Sequence, residues 1–239
     1  VKLETEFIVR RKLVPALEAA GSSIDDIVKC QVYLRDPSDF GAFCECWREL
    51  FPNGIPATTL IPCADPAFTI GELRVEINTI ALRRDGATRR ERIDAGVIPA
   101  FSEFPQAIRA GDLLFISGML AIDRKGLVAR ARRDPRKPFH GSSIQAQMQA
   151  ILENAESICA AAGTSLANTV RIQQFHTDLD DFYPSYQIWA QRLPEQPLPL
   201  SAVKVNYLPV PGTTVLVDLW VYVPGARAGG HATRREKAV

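Results

Sequence analysis

The sequence predicts an α+β fold built twice. Three observations predict it. First, the chain repeats itself without a gap at an offset of 142 residues, from about residue 3 to about 82. Ala19-Ala20-Gly21-Ser22-Ser23 lines up with Ala161-Ala162-Gly163-Thr164-Ser165. Further along, Val28-Lys29 meets Val170-Arg171, Gln31 meets Gln173, Trp47 meets Trp189 and Val75-Glu76-Ile77 meets Val217-Asp218-Leu219. Second, each copy alternates strand-period and helix-period apolar patterns. Third, a charged stretch with Gly and Pro, residues 84–98, separates the copies as a linker would. Two copies of this size imply domain duplication and not a solenoid.

The second copy, residues 99–225, reads as complete. Ala107 to Ala110 and Leu113 to Ile122 are expected strands about a Gly111-Asp112 turn. Ile144, Met148, Ile151, Leu152, Ala155, Ile158, Cys159 and Ala162 mark one helical face. Ser142 or Ser143 is a candidate N-cap, and Gly163 suits the left-handed position after the helix. Thr169 to His176 follows as a strand, and Asp178 to Arg192 as a helix stopped by Pro194. Leu200 to Leu208 and Thr213 to Val223 close the copy as strands. The first copy, residues 1–83, starts directly at its long helix near Lys2. It lacks counterparts to residues 98–141, so its sheet is expected to be short of its opening strands. Residues 226–239, rich in Gly and Arg, read as a flexible tail.

Composition excludes several classes. The 28 basic and 27 acidic residues give no net pull toward nucleic acid or a membrane surface. No apolar run approaches the roughly 18 residues of a membrane span, and no secretory signal is visible. The odd count of 5 cysteines, Cys30, Cys44, Cys46, Cys63 and Cys159, shows no disulfide framework. Reduced thiols in the cytoplasm are the expectation. Cys44 and Cys46 point to different faces of a helix, and no second pair follows, so no metal is expected. Phosphate-cradling, dinucleotide, zinc-protease and nucleophile-elbow motifs are absent, and no cofactor is expected. Basic and aromatic residues do not interleave into a nucleic-acid platform.

Several stretches together resemble the RidA (reactive-intermediate deaminase, YjgF, L-PSP endoribonuclease-like) family. In the first copy they are AAGSSIDDIVKCQVYLRDPSDF, IPATTLIP and LRVEINTIA. In the second they are FPQAIRAGDLLFISGMLAID, AAGTSLANTVRIQQFHTDLDDF and VLVDLWVYV. The resemblance implies two chorismate-mutase-like domains, each a mixed sheet with two helices on one face, in the order β-β-(β)-α-β-α-β-β. It also implies trimers or pseudo-trimeric rings, with small-molecule clefts between neighbouring domains. In the family an arginine grips the carboxylate of a small imine or enamine acid, a task suited to a planar bidentate cation. A carboxylate manages water, and the imine is hydrolysed to ketone and ammonia. This sequence departs from the pattern at that arginine, which falls on Thr58 and Leu200, the latter followed by Ser201. The family tyrosine falls on Phe104, and an asparagine of the second helix on Cys44 and Tyr186. Ser117-Gly118 remains, as does the carboxylate, at Glu76 and Asp218.

The resemblance therefore implies cofactor-free deamination of a small enamine or imine other than the usual 2-imino acid, with Glu76 or Asp218 as the carboxylate that manages water or a proton. A non-catalytic metabolite-binding or structural member is the alternative. Strand alternation sets Arg74 on the face of Glu76, where it is a candidate replacement cation; a solvated, ion-paired strand face is the bland counterpart. Asp218 among Leu216 and Trp220 is costly unless paired or functional. Lys204 shares a strand face with Leu200 and is a further candidate charge, or a surface lysine. His176 and His140 are expected to be structural, with catalysis as the sharper reading. Arg130, Arg132, Arg133, Arg136 and Lys137 form a basic loop, either solvated or gating an anion.

Overall fold

The computed structural model describes residues 1–63, 72–134, 136, 141–195 and 197–225. His140, Lys137 and the tail lie outside the described residues. The first copy opens on α1 (Lys2–Phe7), which runs through a π-helical turn, Ile8–Leu13, into α2 (Val14–Ala19). The π turn has a local cause. Pro15 has no N–H to donate back along the helix, and its ring crowds the preceding turn. The chain widens there, and Val14 N donates five residues back to Val9 O. Strand β1 (Ile27–Leu34), helix α3 (Asp39–Leu50) and strands β2 (Ala57–Pro62) and β3 (Val75–Ala81) follow. They form one sheet in the order β2-β1-β3, with β2 parallel and β3 antiparallel to β1. Among the described residues β3 has no strand on its other side, which is the sheet short of opening strands that the sequence predicts.

The stretch expected as a linker carries a strand. β4 (Arg90–Ile93) pairs antiparallel with β5 (Ala107–Ala110) and becomes the outer strand of the second sheet. Next come β6 (Leu113–Ile116), a small hairpin β7 (Ile122–Asp123) and β8 (Gly126–Leu127), and helix α4 (Ser143–Ala161). Ser142 caps α4 through Gln145 N, and Gly163 takes φ +75° beyond its end. Strand β9 (Thr169–His176), helix α5 (Phe182–Arg192) and strands β10 (Leu200–Lys204) and β11 (Val215–Tyr222) complete the copy. The sheet order is β10-β9-β11-β6-β5-β4. Four elements are shorter than the sequence predicts, β11 by its first two residues and its last. A 3₁₀ turn, Leu179–Asp181, takes the start of the expected second helix; β10 stops at Lys204; β6 stops at Ile116, before Ser117-Gly118.

Each sheet has two unlike faces. In β11, Val215, Val217, Leu219 and Val221 pack with α4 residues such as Met148, Ile151 and Ala155. The intervening Leu216, Asp218 and Trp220 point the other way. In β1, Cys30, Val32 and Leu34 face Phe43 and Trp47 of α3. Lys29, Gln31 and Tyr33 again face away. These helix-free faces meet in the middle of the molecule. Val28 and Ala57 of the first copy pack with Ile108 and Phe115 of the second, and Ile61 packs with Leu120, Phe175 and Leu216. The copies are thus joined by buried apolar contact, the largest favourable term in such a joint.

Candidate functional site

The meeting faces place charge in the interior. Lys29, 1% exposed, and Asp218, 0% exposed, form an ion pair with Nζ 2.8 Å from Oδ2. Lys29 Nζ also donates to Thr59 Oγ1 at 2.9 Å and to Ile116 O at 2.7 Å. Thr59 Oγ1 donates to Asp218 Oδ2 at 2.6 Å, and Gln31 Nε2 approaches the same oxygen at 3.3 Å. Gln31 Nε2 donates in addition to Gln173 Oε1 at 2.6 Å, so two residues in matching positions of the repeat touch. Burial pulls the Lys29 pKa down, and the carboxylate of Asp218 opposes that pull. Every proton of the ammonium has an acceptor, as a buried cation requires. Asp218 Oδ1 has no partner among the described residues.

Beside this pair the joint is filled. Ser117 Oγ accepts from Thr58 N at 3.0 Å and donates to Pro105 O at 2.6 Å. Gly118 N donates to Thr58 O at 3.1 Å. A Cβ on Gly118 would lie 2.9 Å from Thr59 Cγ2 and 3.1 Å from Leu216 Cδ1, so the backbone approaches where only glycine fits. Phe104 is buried in the first copy's core, tilted 5.3 Å from Phe101, which stacks 5.9 Å on Phe40. Thr58 accepts from Trp47 Nε1 at 3.3 Å. Cys44 is buried as well, and burial pushes its thiol up to about 12, far from the range of a nucleophilic thiolate. Thr58, Ser117 and Gly118 therefore meet at the joint beside the Lys29–Asp218 pair, whereas Cys44 and Phe104 are packed into the first copy's core.

The repeat-equivalent charged pair is arranged differently. Lys29 and Asp218 correspond to Arg171 and Glu76. No hydrogen bond or ion pair joins Arg171 to Glu76 among the described residues. Glu76 is exposed on the helix-free face of β3, opposite Tyr33 in the strand register. Arg171 lies over the Trp220 ring, its guanidinium carbon 4.3 Å from the centroid, and its Nη1 is buried without an acceptor. The half-buried Tyr33 senses both groups. Burial raises its pKa, Glu76 raises it further and Arg171 lowers it.

The remaining sequence-predicted residues lie elsewhere. Arg74 does not stand beside Glu76 as a free cation; it forms a bidentate pair with Asp39, Nε to Oδ2 at 2.8 Å and Nη2 to Oδ1 at 2.7 Å. Leu200 is half-buried against the second copy's core, Ser201 and Lys204 are exposed on β10, and Tyr186 is exposed on α5. In the basic loop, Arg130 pairs with Glu153, Arg132 donates to Leu127 O and Arg136 pairs with Asp134. His176 is fully buried, with Nε2 2.8 Å from Gln174 Oε1 and its pKa lowered by burial to about 4. Sequence reasoning missed Lys29 and Arg171. The signal was present: basic residues stand at both 29 and 171, and acidic ones at both 76 and 218.

The model of the endoribonuclease L-PSP family matches residues 5–83 and again residues 96–223. The chain belongs to the RidA family. It carries the family's domain in tandem, each copy on the fold described above. A RutC family protein of Pyrococcus horikoshii is 32% identical over 107 residues, 44% of this chain and 76% of that protein. The chloroplastic Reactive Intermediate Deaminase A of Arabidopsis thaliana is 27% identical over 125 residues, 52% of this chain and 62% of that protein. The structure of yeast Mmf1 is similar at a TM-score of 0.47 and 20% identity, over 56% of this chain and 99% of that one. No helix among the described residues is long and apolar enough to cross a membrane.

Proposed function

We propose that this RidA-family chain hydrolyses a small enamine or imine without a cofactor, at the open polar cluster around Tyr33, and that the closed cluster around Asp218 is a structural joint. The observation that carries this reading is the contrast between equivalent pairs. Lys29 and Asp218 form a buried ion pair, with Asp218 Oδ1 left without a partner, whereas no hydrogen bond or ion pair among the described residues joins Arg171 to Glu76, and Glu76 is exposed. Arg171, with its guanidinium carbon 4.3 Å from the Trp220 ring centroid, offers a planar cation for a substrate carboxylate. Glu76 offers a base that takes a proton from water as it attacks the imine carbon. Glu76 then returns that proton to the nitrogen of the carbinolamine, and the C–N bond breaks to release ammonia as the hydroxyl loses its proton and becomes the carbonyl. The family's arginine position is now Thr58 and Leu200, so the substrate is other than the usual 2-imino acid, with a cyclic or aromatic compound as the favoured class. The outer edge of the second sheet, β10 with its exposed Ser201 and Lys204, completes a second cleft when another subunit covers it, in a homo-oligomer whose ring form is a trimer or pseudo-trimer.

The filled joint favours a second reading, in which the protein binds a metabolite and turns nothing over. Ammonia release from freshly generated enamines separates the two. Acceleration over buffer supports deamination. A ligand that raises the melting temperature with concentration but releases no ammonia supports binding.

A further inference from the structure

The junction between the copies holds a second polar cavity, apart from the inter-copy faces. It measures about 250 Å³ and lies between the end of β3 and the start of β4. Arg83, Arg84, Arg89 and Arg90 line it, with Asp26 as the one acid of its wall. In a chain whose net charge is +1, four arginines about one small cavity are a local concentration of positive charge.

Their hydrogen bonds leave capacity facing outward. Arg84 gives Nε to Asp26 Oδ2 at 3.1 Å, and its two terminal nitrogens have no acceptor among the described residues. Arg89 gives Nη1 to Gly86 O at 2.7 Å and Thr88 O at 3.0 Å, which fixes the turn and leaves Nη2 open. Arg83 is tied to Asp85 through Nε and Nη2. Arg90 is half-buried, and only carbonyls receive it: Asp25 O at 3.0 Å, Gly54 O at 3.1 Å and Ile55 O at 3.0 Å. Burial lowers its pKa, while the neighbouring Asp25 and Asp26 carboxylates oppose that pull. Neutral carbonyls orient this guanidinium without cancelling its charge.

We propose that this four-arginine cavity is a binding site for a phosphate or pyrophosphate group of a small metabolite. Open guanidinium edges on Arg84 and Arg89 fit adjacent oxyanions through charge-assisted, bidentate hydrogen bonds. Arg90 supplies fixed positive charge behind them. A volume of about 250 Å³ is roughly eight water volumes at ~30 Å³ each, enough for a small anion and its remaining hydration. No aromatic side chain lines the cavity, so it lacks the stacking platform that single-stranded nucleic acid uses.

The test titrates the intact protein with inorganic phosphate and pyrophosphate by calorimetry at fixed ionic strength. A single-stranded oligonucleotide forms a separate arm. Saturable pyrophosphate binding, weakened at least about tenfold in Arg84→Gln and in Arg89→Gln, is expected. Phenylglyoxal labelling of the wild type, mapped by mass spectrometry, should show pyrophosphate protecting Arg84 and Arg89. That measurement decides the matter if a variant fails to fold. Absence of saturable binding by the wild type overturns the proposal, as does unchanged affinity in both variants or protection confined to other arginines. Binding of the oligonucleotide alone overturns it in favour of a nucleic-acid surface.

Discussion

Lys29 and Asp218 come from different copies of the repeat, and their side chains meet 2.8 Å apart with almost no exposure to water. The pair is a registration device. Sliding β11 by one residue along its partner would put Leu219 against the ammonium and turn Asp218 toward the helices. Removing one partner leaves the other charged and buried. Lys29→Met alone and Asp218→Leu alone should each destabilise the fold by roughly 3–5 kcal/mol, and the double variant should recover most of that loss. Urea unfolding of the wild type, both single variants and the double variant, taken as a cycle, measures the coupling. Additive losses would mean that the pair does not hold the copies together.

Gly118 makes the joint tight. Gly118→Ala places a methyl group 2.9 Å from Thr59 Cγ2, which β2 cannot move away from without leaving Ser117. A loss of about 1–3 kcal/mol is expected, as for overpacking in a core. Denaturant midpoints measure it. An unchanged midpoint would show that the faces have slack.

His176 predicts acid sensitivity. Its pKa in the folded chain is about 4, against 6.5 for an ordinary histidine, because burial disfavours the charged ring. The unfolded chain therefore binds the proton first as pH falls. The neutral His176 contributes fully above about pH 6.5, and that contribution is lost between 6.5 and about 4. The loss is at most about 3 kcal/mol. The first copy has Leu34 at the matching position. His176→Leu should flatten stability across this window, as read from melting temperatures at pH 7, 5.5 and 4.5. An unflattened profile would assign the acid sensitivity to other groups.

Thr58 and Leu200 show what the repeat has exchanged. Trp47 Nε1 donates to Thr58, whereas Trp189 Nε1, with Leu200 at the matching position, is buried without an acceptor. Thr58→Val should cost about 1–3 kcal/mol, because it orphans the Trp47 donor. Equilibrium unfolding followed by tryptophan fluorescence reports both the stability and the indole environment. A cost near zero would show that the bond to Trp47 adds little.

Much of this molecule was legible before its structure. The 142-residue register, the α4 boundaries at Ser142 and Gly163, and the unpaired side of β3 followed from repeat, capping and periodicity. β4 did not, because Arg-Glu-Arg-Ile carries no strand-period apolar pattern and its pairing comes from β5 alone. Asp218 stood out as an acid in an apolar run, yet its partner lies far away in sequence, and no local pattern reaches that far. For Arg74 the ion-paired reading is the one that fits, because Asp39 of α3 takes its guanidinium and no local pattern names that partner. Phe104 was read as pocket lining by position, but its ring fills the neighbouring copy's core.

The central claim is that one charged pair is a lock and its repeat-equivalent is the working site. Ammonia release from freshly generated enamines, normalised to folded protein, tests it on Asp218→Asn, Glu76→Gln and Arg171→Gln. Asp218→Asn should keep the specific activity of the wild type, while Glu76→Gln and Arg171→Gln should each lose at least about a hundredfold, the scale of a lost general base. Full activity in Glu76→Gln and Arg171→Gln, with loss in folded Asp218→Asn, would contradict the account and return the chemistry to the joint.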